Sequence, residues 1–274
     1  MKVLPFDEFP SEVLASIEGV AFDMDDTVTR EGRLEVAALR AMTSLAEAGI
    51  ELAVASGRPT GWMEVVAHQW PVDFAVAENG ATWIWKGASK RFLRQRFCSD
   101  EEWALLSARR EALRADVEHT FPDLRLSGDD WMRLCDLAYD IGERQVVDPL
   151  RVAELDAFFR ARGAAVVQSS IHLHAAVGDW DKAQGLCKAL ERNRGLDRGG
   201  LKERWLFIGD SGNDEAAFDF FPWSVGVANI APRLATMTYP PSYISRGERG
   251  SGFAEIAEAL LAAKAQGRRD RGPL

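Results

Sequence analysis

Two acidic clusters of the sequence each follow a short apolar run, and both could take part in phosphate chemistry. They are DMDDT (residues 23–27) and GDSGND (residues 209–214). Residues i and i+2 of a strand share a face, so Asp23 and Asp25 are predicted to project together. Neighbouring carboxylates repel, which raises the pKa of one of them unless a cation lies between them. One carboxylate could then attack phosphorus while the other protonates the leaving oxygen.

The second cluster adds Asp210 and Asp214, which are oxygen ligands of the kind that Mg²⁺ prefers. Either cluster alone would be explained by an acidic turn that caps the next helix. Their joint occurrence after two apolar runs favours a metal-assisted site.

The elements that would position these side chains form a repeated pattern. Apolar runs at 20–22, 51–55, 74–77 and 205–208 each end in polar residues and alternate with amphipathic helical stretches. This pattern is typical of an α/β protein with a doubly wound parallel sheet. Such sheets bind ligands outside the carboxyl ends of their strands, so the four polar segments are expected to meet.

The stretch 83–180 differs from its flanks, because its strands are not followed by polar clusters. It begins with a tryptophan-bearing strand (82–86) and ends with an extended run (171–177). We therefore expect a catalytic core made of residues 1–82 and 181–274, with an inserted α/β domain at 83–180. Connections near Thr82 and Asp179 would let the insertion move.

The sequence resembles the haloacid dehalogenase superfamily of phosphotransferases, whose four motifs occur here in order. They are DMDDT, ASGRP (55–59), the lysine of WDKAQGL (Lys182) and GDSGND. An α/β cap between the second and third motifs is similar to that of the Cof-type, sucrose-phosphatase and mannosylphosphoglycerate-phosphatase branch. The resemblance implies a Rossmann-like core. Asp26 departs from the family, which most often has glycine there.

The resemblance also implies roles for individual residues. Asp23 would be the nucleophile that forms an aspartyl-phosphate, and Asp25 the acid and then the base. Mg²⁺ would be held by Asp23, the main-chain carbonyl of Asp25 and Asp210, with Asp214 binding directly or through water. The phosphate would be bound by Ser56, Gly57 and Lys182.

Further residues are candidates for substrate contact. Arg58 is either a substrate contact or half of a structural ion pair, and Asn79, in AENGA, either orients a neighbour or touches substrate. Strand alternation places one polar set on a single face of the last cap strand, towards solvent or the cleft. The set consists of Ser170, His172 and His174, and we add Asn213 from the GDSGND motif.

Composition limits the partners. With 42 acidic and 33 basic residues among 274, the net charge is −9, which disfavours nucleic-acid binding. The basic cluster at Arg268, Arg269 and Arg271 is expected to be a solvated tail. No apolar run approaches the ~18 residues of a membrane span. The acidic start of the chain favours a cytoplasmic location over secretion, and the three cysteines lack metal or disulfide spacing.

The expected function is therefore Mg²⁺-dependent hydrolysis of the phosphomonoester of a small metabolite, most simply a sugar phosphate. The alternative is a phosphomutase on the same scaffold, similar to the phosphomannomutases. A monomer or a homodimer is expected, with the cap selecting the substrate.

Overall fold

One large sheet carries the polar segments identified above. The computed structural model describes residues 3–87, 91–169 and 171–270; Ser170 and Arg271 lie outside them. In chain order the strands are β1 (Leu4–Pro5), β2 (Gly19–Asp23), β3 (Thr29–Arg30), β4 (Arg33–Leu34), β5 (Glu51–Ala55), β6 (Phe74–Ala77), β7 (Thr82–Lys86), β8 (Phe92–Arg96), β9 (Asp136–Asp140), β10 (Ala165–Gln168), β11 (His172–Ala176), β12 (Trp205–Gly209), β13 (Ser224–Gly226) and β14 (Tyr243–Ile244).

Helices connect and cover these strands. They are α1 (Ser11–Ser16), α2 (Val36–Glu47), α3 (Thr60–Gln69), α4 (Asp100–Thr120), α5 (Pro149–Ala161), α6 (Lys182–Arg194), α7 (Arg198–Arg204), α8 (Glu215–Phe220) and α9 (Arg249–Asp270). Within the described ranges, no helix has both the length and the apolar character needed to cross a membrane.

The large sheet has the order β1-β14-β13-β12-β2-β5-β6-β7-β8. In this spatial order, every neighbouring pair from β1 through β14, β13, β12, β2 and β5 to β6 is parallel. This confirms the predicted α/β class. Apolar clusters cover both faces: α2, α3 and α9 pack on one side, and α6, α7 and α8 on the other. Because β2 lies between β12 and β5, the ends of these three strands meet at one edge.

The strand at 82–86 does not belong to the insertion in which the sequence placed it. β7 pairs antiparallel with β6 and β8 with β7, so both extend the large sheet. Trp83 is fully buried in the core cluster, which explains why an apolar strand follows the β6 turn. The expected connection near Thr82 is therefore wrong, and the chain leaves the sheet after Arg96 instead.

The second body consists of residues 100–177, which we call the insert. Its strands form an antiparallel sheet of order β10-β11-β9, and α4 and α5 pack on one face of it. Leu173 and Ala175 of β11 point into this apolar cluster. Alternation turns His172 and His174 to the opposite face, towards the end of β2.

Candidate active site

A buried ion cluster lies at the carboxyl ends of β2 and β12. Asp23 is the last residue of β2, and Lys182 Nζ donates to its Oδ1 at 2.5 Å and to Asp214 Oδ1 at 2.7 Å. The side chains of Asp23, Asp210 and Asp214 place carboxylate oxygens within 4.8 Å of one another. All four residues are almost completely buried, so each charge depends on the others for stabilisation.

Two glycines allow Lys182 to reach this cluster. Gly80 has φ +113°, and a Cβ there would lie 2.2 Å from the carbonyl oxygen of Asp181. A Cβ on Gly185 would lie 2.3 Å from the Cα of Gly80. The start of α6 therefore packs directly on the turn after β6, and the Lys182 side chain is directed at β2.

Burial and mutual interaction shift the pKa values of the charged groups in the cluster. Burial raises the pKa of Asp23 to about 7, against the opposing effect of the Lys182 ammonium, and Asp214 raises it further. Burial and the charges of Asp23 and Asp214 also raise the pKa of Asp210 well above its usual range. Burial alone would lower the pKa of Lys182, but the carboxylates of Asp214 and Asp23 raise it, so it stays protonated.

The acidic cluster fits a divalent metal ion by the chemistry of its donors. Carboxylates whose pKa values are raised by mutual repulsion are stabilised as anions when a cation lies between them. Asp210 Oδ1 accepts a hydrogen bond from Thr27 Oγ1 at 3.2 Å, and Asn229 Nδ2 lies 3.4 Å from its Oδ2. Asp214 has fewer free lone pairs, since Oδ1 binds Lys182 and Oδ2 accepts from two main-chain N–H groups. It is therefore better placed to support a metal than to hold it alone.

Asp25 lies in the turn after β2 rather than on the strand. Because β2 ends at Asp23, the two carboxylates do not share a strand face, contrary to the sequence expectation. Instead, Arg58 Nε and Nη2 donate to the two oxygens of Asp25 at 2.9 and 3.0 Å. Both carboxylates nevertheless line one cavity. Arg58 forms this ion pair, and it also lines the cavity, so a contact with substrate stays a prediction.

Asp26 has a backbone conformation that explains the usual glycine at this position. Its φ is +58°, in the left-handed region that aspartate tolerates better than most residues. Its Oδ1 accepts from Arg249 Nε at 2.8 Å, and its carbonyl accepts from Asn229 Nδ2 at 2.9 Å. The extra carboxylate is thus neutralised by an arginine at the start of α9.

The segment after β5 provides the phosphate-binding candidates. Ser56 Oγ accepts from the main-chain N–H of Arg58 at 3.0 Å, and Ser56 and Gly57 line the cavity. Asn79 lies behind Gly57, where a Cβ on that glycine would be 3.3 Å from the Asn79 side chain. Asn79 does not line the cavity, so its position favours support of this loop over substrate contact.

Residues of the insert form the remaining wall of the cavity. His172, His174, Ser169 and Ile171 line it together with the core carboxylates, and Asn213 borders it from the core side. Burial lowers the pKa of His172 to about 4 and also lowers the pKa of His174, so both imidazoles are neutral at pH 7. About 40 Å³ of the space is accessible to the centre of a water molecule. This corresponds to roughly three waters, too little for a sugar.

Several charged residues that sequence reasoning missed hold the insert on the core. Arg133, whose side chain is fully buried, donates to the carbonyl of Gly57 at 2.9 Å and to Asp136 Oδ1 at 3.1 Å. Asp136 Oδ2 in turn lies 2.8 Å from His174 Nδ1. These contacts connect the phosphate-binding loop to the histidine face through two side chains.

Glu78 is the most extensively bonded of these residues. It is completely buried, has φ +48°, and accepts hydrogen bonds from three successive main-chain N–H groups of the insert. They are those of Leu134, Cys135 and Asp136, at 2.5–3.1 Å. Thr60 donates to the same carboxylate through its N–H and its hydroxyl. No sequence pattern revealed this residue, because its partners in the insert are backbone groups more than fifty residues away.

Comparisons with known proteins agree with this geometry. Residues 20–108, which include the acidic end of β2 and the segment after β5, match the family model of haloacid dehalogenase-like hydrolases. The chain is similar to haloacid dehalogenase-like hydrolases over these residues. No curated protein sequence matches the chain.

Solved structures share the fold across both bodies. A Thermoplasma acidophilum protein (0175) is 18% identical with a TM-score of 0.68, and the match covers 89% of this chain and 98% of that chain. The sucrose-phosphatase of Synechocystis, solved with sucrose and phosphate, is 17% identical with a TM-score of 0.63 and coverages of 90% and 98%. A trehalose-6-phosphate phosphatase related protein is 16% identical with a TM-score of 0.56 and coverages of 92% and 99%. At these identities the likeness establishes the fold.

Proposed function

We propose that this protein is a haloacid dehalogenase-like, Mg²⁺-dependent phosphatase that cleaves the phosphomonoester of a small metabolite through an aspartyl-phosphate. The observation that carries the proposal is the buried contact of Asp23 with Lys182 beside Asp210 and Asp214. A nucleophilic carboxylate next to a fixed cation and a hard-metal site contains the groups that phosphoryl transfer requires.

In the first half-reaction a carboxylate oxygen of Asp23 attacks phosphorus, and the bond from phosphorus to the leaving oxygen breaks. Lys182 fixes the orientation of Asp23 through its Oδ1 and neutralises charge as the phosphoryl group arrives. Ser56 Oγ and the N–H of Gly57, residues that line the cavity, would bind the phosphoryl oxygens. Mg²⁺, when bound by Asp23, Asp210 and the main-chain carbonyl of Asp25, would neutralise phosphate charge.

Asp25 is the proton donor to the leaving alcohol and then the base for the attacking water. Both of its oxygens are held by Arg58 in this structure, so proton transfer requires that one of them be released. Arg58 Nη1 also lies 3.5 Å from Glu143 Oε1 and 3.8 Å from Asp129 Oδ2. These two insert carboxylates offer Arg58 an alternative partner when substrate displaces it from Asp25.

We further propose that residues 100–177 act as the cap and select the substrate. The cavity is too small for a sugar while the insert is closed, so the insert must move away to admit one. The stretches 97–99 and 178–181 connect the insert to the core and would accommodate this motion. A phosphorylated sugar is favoured because the neutral imidazoles and the Ser169 hydroxyl on the cap side suit sugar hydroxyls, and because the named neighbours include a sucrose-phosphatase.

The test is phosphate release from a panel of phosphorylated sugars, polyols and an aryl phosphate, with Mg²⁺ present. We expect hydrolysis of several members and its loss in Asp23→Asn, because an amide does not attack phosphorus. Asp219→Asn, an exposed aspartate of α8, is the matched control and should retain activity. A tenfold loss of rate corresponds to only ~1.4 kcal/mol of activation free energy. Turnover of Asp23→Asn within about tenfold of wild type would therefore contradict the nucleophile assignment.

The same panel separates hydrolysis from the phosphomutase alternative. A mutase would convert a hexose 1-phosphate to the 6-phosphate when a hexose bisphosphate is supplied, with little free phosphate. We expect free phosphate from the hexose phosphate and no isomer.

A further inference from the structure

The cavity wall beyond β12 carries an arginine that the proposed mechanism does not use. Arg233 lies in the short helical segment Ala228–Thr236 that follows β13, and it is half-buried. It lines the same cavity as Asp23. The strand order places β12 between β2 and β13, whereas Ser56 follows β5 on the other side of β2. Arg233 therefore approaches the site from the side opposite the phosphate-binding loop.

Arg233 also differs from the other cations around the site in having no carboxylate partner. Among the residues that the structure describes, no Asp or Glu oxygen lies within 4.0 Å of its guanidinium. Four neighbouring cations are instead already neutralised, namely Lys182 by Asp23 and Asp214, Arg58 by Asp25, Arg133 by Asp129 and Asp136, and Arg249 by Asp26. A half-buried arginine beside a cavity is thus left without a counter-charge.

The histidine side of the cavity, formed by the insert, is unfavourable for a second anion. Glu143 lies 3.3 Å from His172 Nε2, and the buried imidazoles of His172 and His174, which line the cavity, carry no charge at pH 7. Asp129 adds a further carboxylate next to Arg58. An anionic substituent of the leaving group would therefore be directed away from the histidine face and towards Arg233.

We propose that Arg233 is a specificity-determining residue that binds a second anionic group, a carboxylate or a second phosphate, on the leaving group of the substrate. This inference rests on the proposed phosphatase function and refines its substrate class to phosphorylated acids or bisphosphates. Ser211 and Asn213 border the same part of the cavity and offer polar contacts. Arginine suits this role because its planar guanidinium binds carboxylate and phosphate through two parallel hydrogen bonds.

The test compares kcat/KM for matched substrates that differ in one anionic group. One pair is 3-phosphoglycerate against glycerol 3-phosphate, and the other is a hexose 1,6-bisphosphate against the hexose 6-phosphate. We expect the wild type to prefer the more anionic member of at least one pair, and the responsive pair tells carboxylate from phosphate. Arg233→Gln should reduce that preference at least tenfold, Arg233→Lys should keep most of it, and Arg233→Glu should reverse it.

Arg40→Gln is the matched control, since it removes an equal charge from an exposed position of α2. It should leave both preferences as in the wild type. Equal losses on both members of each pair in Arg233→Gln would show that Arg233 serves the transferred phosphate or the fold, and would overturn the proposal. An unchanged preference, or a wild type that prefers the less anionic member of both pairs, would also overturn it. Absence of hydrolysis of every phosphomonoester would instead refute the proposed function.

Discussion

Replacing Glu78 by glutamine should loosen the contact between the insert and the core. The carboxylate accepts from the N–H groups of Leu134, Cys135 and Asp136 and from Thr60. The amide keeps one acceptor oxygen and puts an NH₂ group in place of the other. With the NH₂ group at the Oε2 position, the N–H groups of Cys135 and Asp136 lose their partner, whereas Leu134 keeps Oε1. Each buried unsatisfied group costs ~1–3 kcal/mol, and removal of a buried charge offsets part of this cost. We therefore expect the contact between insert and core to lose about 3 kcal/mol of stability.

Hydrogen exchange measured at single residues is the sharpest assay of this change. A loss of about 3 kcal/mol corresponds to exchange roughly 100-fold faster if the amides exchange by local opening. We expect this acceleration at the amides of Cys135 and Asp136, whereas the amide of Leu173, inside the insert sheet, should change much less. Urea unfolding gives the global loss.

Glu102→Gln is the matched control for Glu78→Gln. Glu102 is an exposed glutamate that accepts the N–H of Ser99 in the capping box of α4. Its replacement should cost at most ~1 kcal/mol. Exchange at Cys135 and Asp136 that is unchanged in Glu78→Gln, together with a loss of stability no larger than that of the control, would refute this account of how the insert is held.

Three further predictions concern the site itself. His172→Ala or His174→Ala should change kcat/KM unevenly across the substrate panel, because lost contacts matter only where the leaving group reaches them; equal losses on all substrates would contradict a cap-side role. Removal of divalent metal with EDTA should stop phosphate release and Mg²⁺ should restore it, while Ca²⁺, which takes more ligands, should inhibit; full activity without metal would contradict the roles of Asp210 and Asp214. The pKa of His172 is about 4 in the folded chain against its usual 6.5, so the unfolded chain binds more protons between these values, and stability should fall as pH drops through this window by up to ~1.4 kcal/mol per unit. Urea unfolding at pH 7 and pH 5 measures this, and His172→Asn should show a smaller difference.

The sequence predicts those parts of the fold and site that have a local residue pattern. The strands that end at Asp23 and Gly209 are short apolar runs followed by carboxylates, and parallel pairing brings such ends together whatever the rest of the chain does. Lys182 could be placed only by motif order, because a single lysine in a sequence does not indicate burial. The structure buries it completely between two aspartates.

The rest depended on contacts that have no local signature. β7 and β8 read as part of the insertion because their apolar residues show nothing of the antiparallel pairing with β6. The pairing of Asp25 with Arg58 and the bonds of Glu78 to the insert join residues 33 to 58 positions apart. Charge and hydropathy patterns do not encode such distances, so only the folded chain shows these contacts.

The identity of the nucleophile is the central claim, and chemical trapping tests it most directly. Asp25→Asn should slow attack by water, whereas an aryl phosphate, whose leaving group needs no proton, should still phosphorylate Asp23. Borohydride reduces an aspartyl-phosphate to homoserine, and mass spectrometry of the peptide containing residue 23 detects the change. We predict homoserine at position 23 in Asp25→Asn treated with aryl phosphate, and none when substrate is omitted. Homoserine at another aspartate, or trapping that persists in Asp23→Asn, would contradict the account.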